Sequence, residues 1–372
     1  MLNLTEIIEH ELLSIDKPGP TFIFPEFQDE RVIIATSQLS KFFNIILPVS
    51  RTALYNLICE KSIRLEQSID EFLASVHCLD LSSENEKKIL FSEKLAEISK
   101  GKKWEMTPDR ALKFMNDPLY FSIMAVRFGF AEAILGGLQL ASKDYFAPCL
   151  RLLKKEGTVF ELGLFVLPDE HPAGVFNQNI VVFSDVAVNP VPDAAALTNI
   201  AIGTCQIIRD IIPENVLPEV NGAILSYSTK GSGSGPAVDV IRAAGKQIPE
   251  KLAQLKQSNS RYKSIRIEWE LQASVAISEK AAQKKLTNPL EHLAAGRANV
   301  LILPNLDFGN SLYHLYATTW PTSVRLLQIG GIFSQALDFS RSSTADDVVL
   351  GAKALGLQHL KRSDFNGTPQ KF

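Results

Sequence analysis

Residues on which several common classes of protein depend are scarce in this chain. Its 372 residues include four cysteines, Cys59, Cys78, Cys149 and Cys205, with no Cys-x-x-Cys pair. This scatter predicts neither a disulfide framework nor a zinc site, and we expect buried thiols in a cytoplasmic protein. None of the six histidines has another histidine four residues away, so we predict no histidine metal site.

Long apolar segments are missing as well. The longest, Leu119 to Ala141, is interrupted by Arg127 and Glu132, so we expect no membrane span. The first residues lack a basic region and predict an amphipathic helix rather than a signal peptide. With a net charge of −3, the chain shows no excess of basic residues, and we expect no nucleic-acid partner.

Sequence motifs of several enzyme classes are absent too. The chain has no Gly-x-Ser-x-Gly elbow, no Gly-x-x-x-x-Gly-Lys-Ser/Thr phosphate loop and no Gly-x-Gly-x-x-Gly fingerprint. We therefore expect neither a serine hydrolase nor a nucleotide-dependent dehydrogenase, and no tightly bound cofactor.

Strand-like and helix-like segments alternate along most of the chain. Apolar, β-branched runs predict buried strands at 21–26, 44–49, 131–137, 159–168, 179–185, 222–228, 298–305 and 325–332. Runs of this kind suit mostly parallel sheets covered by helices on both faces, so the predicted class is α/β. The last sixteen or so residues predict a fraying tail.

A glycine-rich stretch, STKGSGSGP, follows one predicted strand and precedes a helix. Backbone N–H groups at a helix N-terminus attract anions, and Lys230 would add a full charge. Ser232 lies in the same turn. The alternative is a flexible connection without a ligand.

The segment Leu337–Val349 offers a second candidate site. Ser340, Arg341 and Asp347 bring a hydroxyl, a guanidinium and a carboxylate within eight residues, a set that suits phosphate binding and proton transfer. The alternative is structural, since Ser343 or Thr344 with Asp346 or Asp347 also fits a helix capping box. A third stretch, Leu303–Tyr316, places Asn310 and Tyr313 after a strand end, where α/β proteins bind ligands.

Five blocks resemble one known family in collinear order. They are FPEFQDERV (24–32), VFSDVAVNPVPDAAALTNIAI (182–202), LSYSTKGS (225–232), EWELQASVAI (268–277) and GRANVLILPNLDFGNSLY (296–313). Together they resemble the phosphate acetyl/butyryl transferases, and the likeness covers almost the whole chain.

This resemblance implies two α/β domains with an interdomain cleft, similar to isocitrate and isopropylmalate dehydrogenases. The first domain would comprise residues 1–154 and 326–372, and the second residues 155–325. The implied partners are small molecules: acetyl-CoA and phosphate would react reversibly to acetyl phosphate and CoA, without a metal or a covalent acyl-enzyme. A homodimer is also implied.

The resemblance also implies site residues, at the positions of this sequence that match the family's motifs. Asp347 would take the CoA thiol proton, while Ser340 and Arg341 would hold the phosphoryl group. Further substrate-binding candidates are Lys230, Ser232, Ser142, Lys143, Asn310 and Tyr313.

Several positions depart from the family pattern. Ala147 stands where the family has an arginine before a proline, and loss of such a charged contact costs roughly 1.5–3 kcal/mol unless Lys143 replaces it. Two alternatives therefore remain beside the acetyltransferase. One is a degenerate member that senses acyl-CoA or acetyl phosphate, and the other is a phosphate butyryltransferase with a wider acyl pocket.

Overall fold

The computed structural model describes residues 3–167, 179–320, 324–332 and 335–362. Two compact units make up the chain. One comprises Glu11–Lys154 and Ile332–Phe372 and is called the five-stranded unit here; the other comprises Met1–His10 and Lys155–Gly331 and is called the six-stranded unit.

Eleven strands are described: β1 Thr21–Ile23, β2 Asn44–Leu47, β3 His77–Cys78, β4 Ala133–Gly136, β5 Phe160–Val166, β6 Ile180–Ser184, β7 Val220–Leu225, β8 Ile265–Leu271, β9 Val300–Ile302, β10 Val324–Gly330 and β11 Ala336–Asp338. The described α-helices are α1 Leu4–Leu13, α2 Glu30–Leu39, α3 Arg51–Glu60, α4 Ile69–Ser75, α5 Asn85–Ser99, α6 Pro108–Phe114, α7 Pro118–Arg127, α8 Ser142–Leu152, α9 Ala194–Ile211, α10 Pro236–Ser258, α11 Ala273–Ile277, α12 Glu279–Lys285, α13 Leu306–Thr319 and α14 Ala345–Arg362.

In the five-stranded unit the strand order is β11-β4-β1-β2-β3, and neighbouring strands run parallel. The chain passes from β1 to β2 and β3 on one side and then returns to β4 on the other side of β1. The order of the strands therefore reverses between β1 and β4. At such a point the loops after the carboxyl ends diverge and leave a crevice that α/β proteins use for ligands.

In the six-stranded unit the order is β10-β5-β6-β9-β7-β8. Strands β6, β9, β7 and β8 run parallel, while β10 and β5 add an antiparallel edge. The loops that follow the four parallel strands consequently emerge at one edge of this sheet. They include the glycine-rich stretch after β7 and the start of α13 after β9.

The predicted α/β class with largely parallel sheets is confirmed, and the predicted strands match β1, β2, β4–β7, β9 and β10 within a few residues. The block 268–277 comprises the end of β8, which ends at Leu271, and α11, which begins at Ala273. The predicted tail from about residue 357 is wrong up to Arg362, where α14 continues with Leu357 fully buried.

The predicted domain ranges stay a prediction. Strand β10 spans the predicted boundary between residues 325 and 326 and pairs with β5 along its whole length. The last described strand, β11, was not predicted.

Two of the four thiols behave as predicted. Cys149 and Cys205 are fully buried, and burial raises the pKa of both thiols, which keeps them neutral. Cys59 is exposed and Cys78 half-buried, so the prediction of burial is wrong for Cys59. Among the described helices, none combines the length and the apolar character needed to cross a membrane.

Close packing at the start of α13 gives a first test. A Cβ at Gly309 would lie 2.1 Å from the carbonyl oxygen of Asp185, so alanine there must displace backbone. Alanine favours a helix over glycine by about 1 kcal/mol, but overpacking costs about 1–3 kcal/mol. We expect Gly309→Ala to lower the free energy of unfolding, as measured by urea denaturation.

The matched control is Ser311→Ala, an exposed position of the same helix. It gains helix propensity without a clash and should leave stability unchanged or slightly raised. A Gly309→Ala protein as stable as the Ser311→Ala protein would contradict the contact between α13 and the Asp185 backbone.

Candidate functional site

Three loops meet at the carboxyl edge of the five-stranded sheet. They follow β1, β4 and β11, which are neighbours in the order β11-β4-β1. The loop after β11 carries Ser340 and Arg341 and leads into α14 with Asp347, and the loop after β4 leads into α8, which begins at Ser142. The parallel register thus places both sets of predicted residues at the same edge of one sheet.

A buried carboxylate orders the loop after β4. Glu26, in the loop after β1, accepts hydrogen bonds from the backbone N–H groups of Leu138, Gln139 and Leu140 at 2.8, 3.1 and 3.0 Å. Successive N–H groups of this kind form a site for an anion, and here Glu26 is that anion. The N–H groups of this loop are therefore taken by the protein itself.

The loop after β11 is ordered by short-range bonds. The hydroxyls of Ser340 and Ser342 lie 2.9 Å apart, and the Ser342 N–H donates to Ser340 Oγ at 3.3 Å. Ser340 is half-buried and Arg341 exposed. Within the described part of the chain, the Arg341 guanidinium makes no hydrogen bond or ion pair, so it is available to an anion.

Asp347 forms the capping box that the sequence also allowed. Its Oδ2 accepts the Thr344 N–H at 2.8 Å, and its own N–H donates to Thr344 Oγ1 at 3.2 Å. Asp347 is half-buried. The bond to Thr344 fixes the orientation of the carboxylate at the start of α14 and leaves its second oxygen for another partner.

Lys143 lies in the first turn of α8 with an exposed side chain. Ala147 is one turn further along the same helix and half-buried. The helix is anchored by Tyr145, whose hydroxyl donates to the carbonyl of Leu337 in β11 at 2.8 Å. Lys143 is thus a cation at the carboxyl edge of the sheet, close in sequence to the position where the family's arginine is missing.

The glycine-rich loop of the six-stranded unit is held by Glu270. This carboxylate, whose side chain is 5% exposed, accepts from the Ser228 hydroxyl and the Gly231 N–H, each at 2.7 Å. Arg242 donates to the same carboxylate through Nε at 3.0 Å and Nη2 at 2.8 Å. An internal carboxylate thus binds the Gly231 N–H, which lies in the stretch predicted to bind an anion, just as Glu26 binds N–H groups of the loop after β4.

Lys230 is paired inside the protein. Its Nζ lies 2.8 Å from Glu268 Oε2 and 4.2 Å from the centroid of the Trp269 ring. Ser232 Oγ accepts the Thr229 N–H at 2.8 Å and closes the turn. Lys230 and Ser232 therefore both have a structural task in the loop. A substrate anion at Lys230 would have to compete with the Glu268 carboxylate.

Asn310 and Tyr313 lie on α13. Asn310 Nδ2 donates to the carbonyl of Val186 at 3.1 Å, which ties the helix to the loop after β6. Tyr313 is 7% exposed and packs in the apolar core, with its ring centroid 5.6 Å from that of Phe165. The substrate-binding role proposed for these residues stays a prediction, and burial gives Tyr313 a packing role.

Sequence reasoning assigned no role to Glu26, Glu270, Arg242 or Asp185. The Asp185 carboxylate is buried after β6 and accepts the N–H groups of Glu161, Ala187, Val188 and Asn189. One available signal was the presence of acidic residues directly after, or at the end of, an apolar strand, where free backbone N–H groups need acceptors.

Glu270 gives a test of the glycine-rich loop. Burial raises its pKa, but the hydrogen bonds from Arg242, Ser228 and Gly231 outweigh burial, so the pKa lies below its ordinary value of 4.5. A carboxyl with a depressed pKa stabilises the fold above its ordinary pKa and loses that contribution as the pH falls through the lower value. Glu270→Gln should lower the free energy of unfolding by about 2–3 kcal/mol at pH 7.

The difference in free energy of unfolding between Glu270→Gln and the unsubstituted protein should shrink as the pH falls below about 4.5. There Glu270 is protonated first in the unfolded state, and at its lower folded-state pKa it is protonated in the folded state as well. Urea unfolding at several pH values measures this difference. Glu250→Gln, an exposed position of α10 in the same unit, controls for the loss of one charge. A difference that is independent of pH would contradict a charged Glu270 at the centre of the loop.

Comparisons with known proteins agree with the fold. The family model described as "Phosphate acetyl/butaryl transferase" matches residues 6–353. The phosphate acetyltransferase of Clostridium acetobutylicum is 32% identical over 247 residues, 66% of this chain and 68% of the relative. The phosphate acetyltransferase of Staphylococcus epidermidis is 29% identical over 327 residues, covering 88% and 90%.

Solved structures show the same fold. The EutD phosphotransacetylase from Staphylococcus aureus superposes with a TM-score of 0.73 at 23% identity, over 95% of this chain and 98% of that one. A phosphotransacetylase from Streptococcus pyogenes gives a TM-score of 0.73 at 24% identity, over 97% and 100%. With a family model that spans nearly the whole sequence, the chain belongs to the phosphate acetyl/butyryl transferase family, a family of acyltransferases.

Proposed function

We propose that this chain is a phosphate acetyltransferase, which transfers an acetyl group reversibly between CoA and inorganic phosphate. The observation that carries the proposal is the segment after β11. It combines the exposed Arg341 guanidinium, which has no hydrogen bond or ion pair among the described residues, with the Ser340 hydroxyl and the oriented Asp347 carboxylate in a chain of this family. Relatives named phosphate acetyltransferase support the choice of acetyl over other acyl groups.

In the direction of acetyl-CoA synthesis, Asp347 takes the proton of the CoA thiol. A thiol has an ordinary pKa of about 8.5, so modest help from a base suffices to form the thiolate. The thiolate sulfur attacks the carbonyl carbon of acetyl phosphate, and the bond from that carbon to the phosphate oxygen breaks. Phosphate leaves with the bonding electron pair, and the reverse reaction returns the proton from Asp347 to the thiolate.

Arg341 and Ser340 act on the phosphate. A guanidinium binds two phosphate oxygens through parallel hydrogen bonds and offsets the negative charge that develops as the carbonyl is attacked. The Ser340 hydroxyl adds one further donor once it rotates away from Ser342. No step in this scheme needs a covalent bond between the acetyl group and the protein.

Lys143 is proposed to compensate for Ala147. Its side chain is exposed at the edge of the sheet that carries Ser340 and Arg341. A charge-assisted contact with phosphate contributes roughly 1.5–3 kcal/mol. Lys143→Gln should therefore raise the KM for phosphate by about one order of magnitude with little change in the KM for acetyl-CoA.

Lys154→Gln, an exposed lysine beyond the end of α8, is the matched control and should change neither constant. Equal values of KM for phosphate in Lys143→Gln and the unsubstituted enzyme would remove Lys143 from the site.

Asp347→Asn separates catalysis from capping. An asparagine oxygen still accepts the Thr344 N–H, so the fold should keep its stability to within about 1 kcal/mol. As a base, however, asparagine fails, and the rate of thiol release from acetyl-CoA at saturating phosphate should fall by roughly 10²-fold or more. Thermal unfolding and a thiol-reactive dye measure the two effects.

The control is Asp346→Asn, which removes the same charge from the same exposed helix turn. Equal turnover in both variants would show that Asp347 only caps α14. If thiol release is absent from the unsubstituted protein while acetyl-CoA binds, the chain is a sensor rather than an enzyme. A higher rate with butyryl-CoA would make it a butyryltransferase.

Other expectations stay predictions. These are the cytoplasmic location, the homodimer, the absence of a tightly bound cofactor and the domain arrangement similar to isocitrate dehydrogenase.

A further inference from the structure

Every donor of the Arg31 guanidinium is used inside the protein. A guanidinium has five N–H donors. Nε and Nη2 donate to the two oxygens of Asp29 at 2.9 and 2.7 Å, and Nη2 also donates to the carbonyl of Leu138 at 3.0 Å. Nη1 donates to the carbonyls of Arg341 and Ser343 at 2.9 and 2.7 Å. Arg31 therefore has no donor left for a substrate.

These bonds join the two loops that carry the proposed site. Leu138 lies in the loop after β4, and Arg341 and Ser343 lie in the loop after β11. Arg31 itself is in the first turn of α2, next to its N-cap Asp29. One side chain consequently fixes the backbone of both loops to the start of a helix that follows β1.

The cation is well suited to this task. The hydrogen bond with Asp29 raises the pKa of Arg31, while burial lowers it less, so the guanidinium stays charged. Burial raises the pKa of Asp29, but the hydrogen bonds and the charge of Arg31 bring it below its ordinary value. The pair is thus ionised on both sides, which strengthens the bonds to the loop carbonyls.

We propose that Arg31 is a positioning residue for acyl transfer, which holds the Ser340–Arg341 segment in its reactive place through the backbone carbonyls of Arg341 and Ser343. This inference rests on the proposed function. Arg31 acts through the loop and touches no substrate. Lysine at this position has three donors on a single nitrogen and reaches neither the two oxygens of Asp29 nor the three carbonyls together.

Arg31→Lys is the first variant. A displacement of about 1 Å at a reacting group costs about 10²-fold in rate, so kcat should fall by about that factor. The KM for acetyl-CoA should stay within about threefold of the unsubstituted value, since binding uses other groups. A merely structural arginine would instead leave kcat of the folded fraction unchanged.

Arg209→Lys is the matched control. Arg209 is buried in the six-stranded unit and donates to the carbonyls of Ile212, Leu217 and Pro218 at 3.2, 2.7 and 3.3 Å. It therefore also binds three carbonyls of one connection, although outside the proposed site. Its replacement should lower the Tm while kcat per folded molecule stays within about twofold.

A double-mutant cycle with Ser340→Ala tests whether Arg31 acts through the loop. If it does, the fold decrease in kcat of the double variant is smaller than the product of the fold decreases of the two single variants. A displaced Ser340 already contributes little to kcat, so the loss of its hydroxyl lowers kcat little further. Losses that multiply would overturn the proposal. If Arg31→Lys does not fold, Asp29→Asn is a milder variant, because it keeps the helix N-cap and weakens the hydrogen bonds that hold Arg31. It should also lower kcat. An unchanged kcat would overturn the proposal.

Hydrogen exchange separates this inference from the proposed function. Backbone amides of residues 340–344 should exchange at least about tenfold faster in Arg31→Lys than in the unsubstituted protein, with no such change in Arg209→Lys. This result is expected even if the unsubstituted protein releases no thiol, in which case only the proposed function fails. Unchanged exchange in residues 340–344 would overturn the positioning role itself.

Discussion

The bonds from Arg31 to the carbonyls of Leu138, Arg341 and Ser343 are the interaction on which the proposed site depends. A parallel sheet leaves irregular loops after its strands, and the polar backbone groups of those loops need partners. Around β1 the partners come from one short segment. Glu26 takes N–H groups of the loop after β4, and Arg31 takes carbonyls from the loops after β4 and β11.

The six-stranded unit uses the same solution with other residues. Glu270 and Arg242 there satisfy the glycine-rich loop, and Asp185 satisfies the loop after β6. The backbone groups that a sequence suggests for anion binding are thus occupied by internal carboxylates. Among the described side chains of the proposed site, Ser340, Arg341 and Lys143 are the ones that we propose for a substrate anion.

Local patterns predicted most of the elements but not the long-range pairs. The apolar runs of β5 and β6 and the period of α9 are visible within a short window, because burial on both faces imposes them. The capping box of Asp347 was predictable for the same reason, since both partners lie three residues apart. Ser340, Arg341 and Asp347 were recognisable as a possible phosphate site because they lie within eight residues, whereas the role of each residue was implied by the family resemblance.

The ion pair that holds Lys230 could not be predicted from the neighbouring sequence, and the substrate-binding role of Lys230 stays a prediction. Its partner Glu268 is 38 residues away, and only the parallel pairing of β7 with β8 brings the two together. Tyr313 presents the same difficulty, because α13 carries both exposed and buried aromatic residues, and packing against Phe165 decides which is which. The bonds of Arg31 to the loops were equally hard to predict, because Leu138, Arg341 and Ser343 lie 107, 310 and 312 residues away in the chain.

The central claim is acetyl transfer to phosphate, and its most direct measurement is product stoichiometry with the unsubstituted protein. Acetyl-CoA is incubated with and without inorganic phosphate, free thiol is followed by a thiol-reactive dye, and acetyl phosphate is trapped as its hydroxamate. The account predicts thiol release that requires phosphate and yields one acetyl phosphate per thiol. Thiol release that does not depend on phosphate, or acetyl-CoA binding without any release, would contradict it.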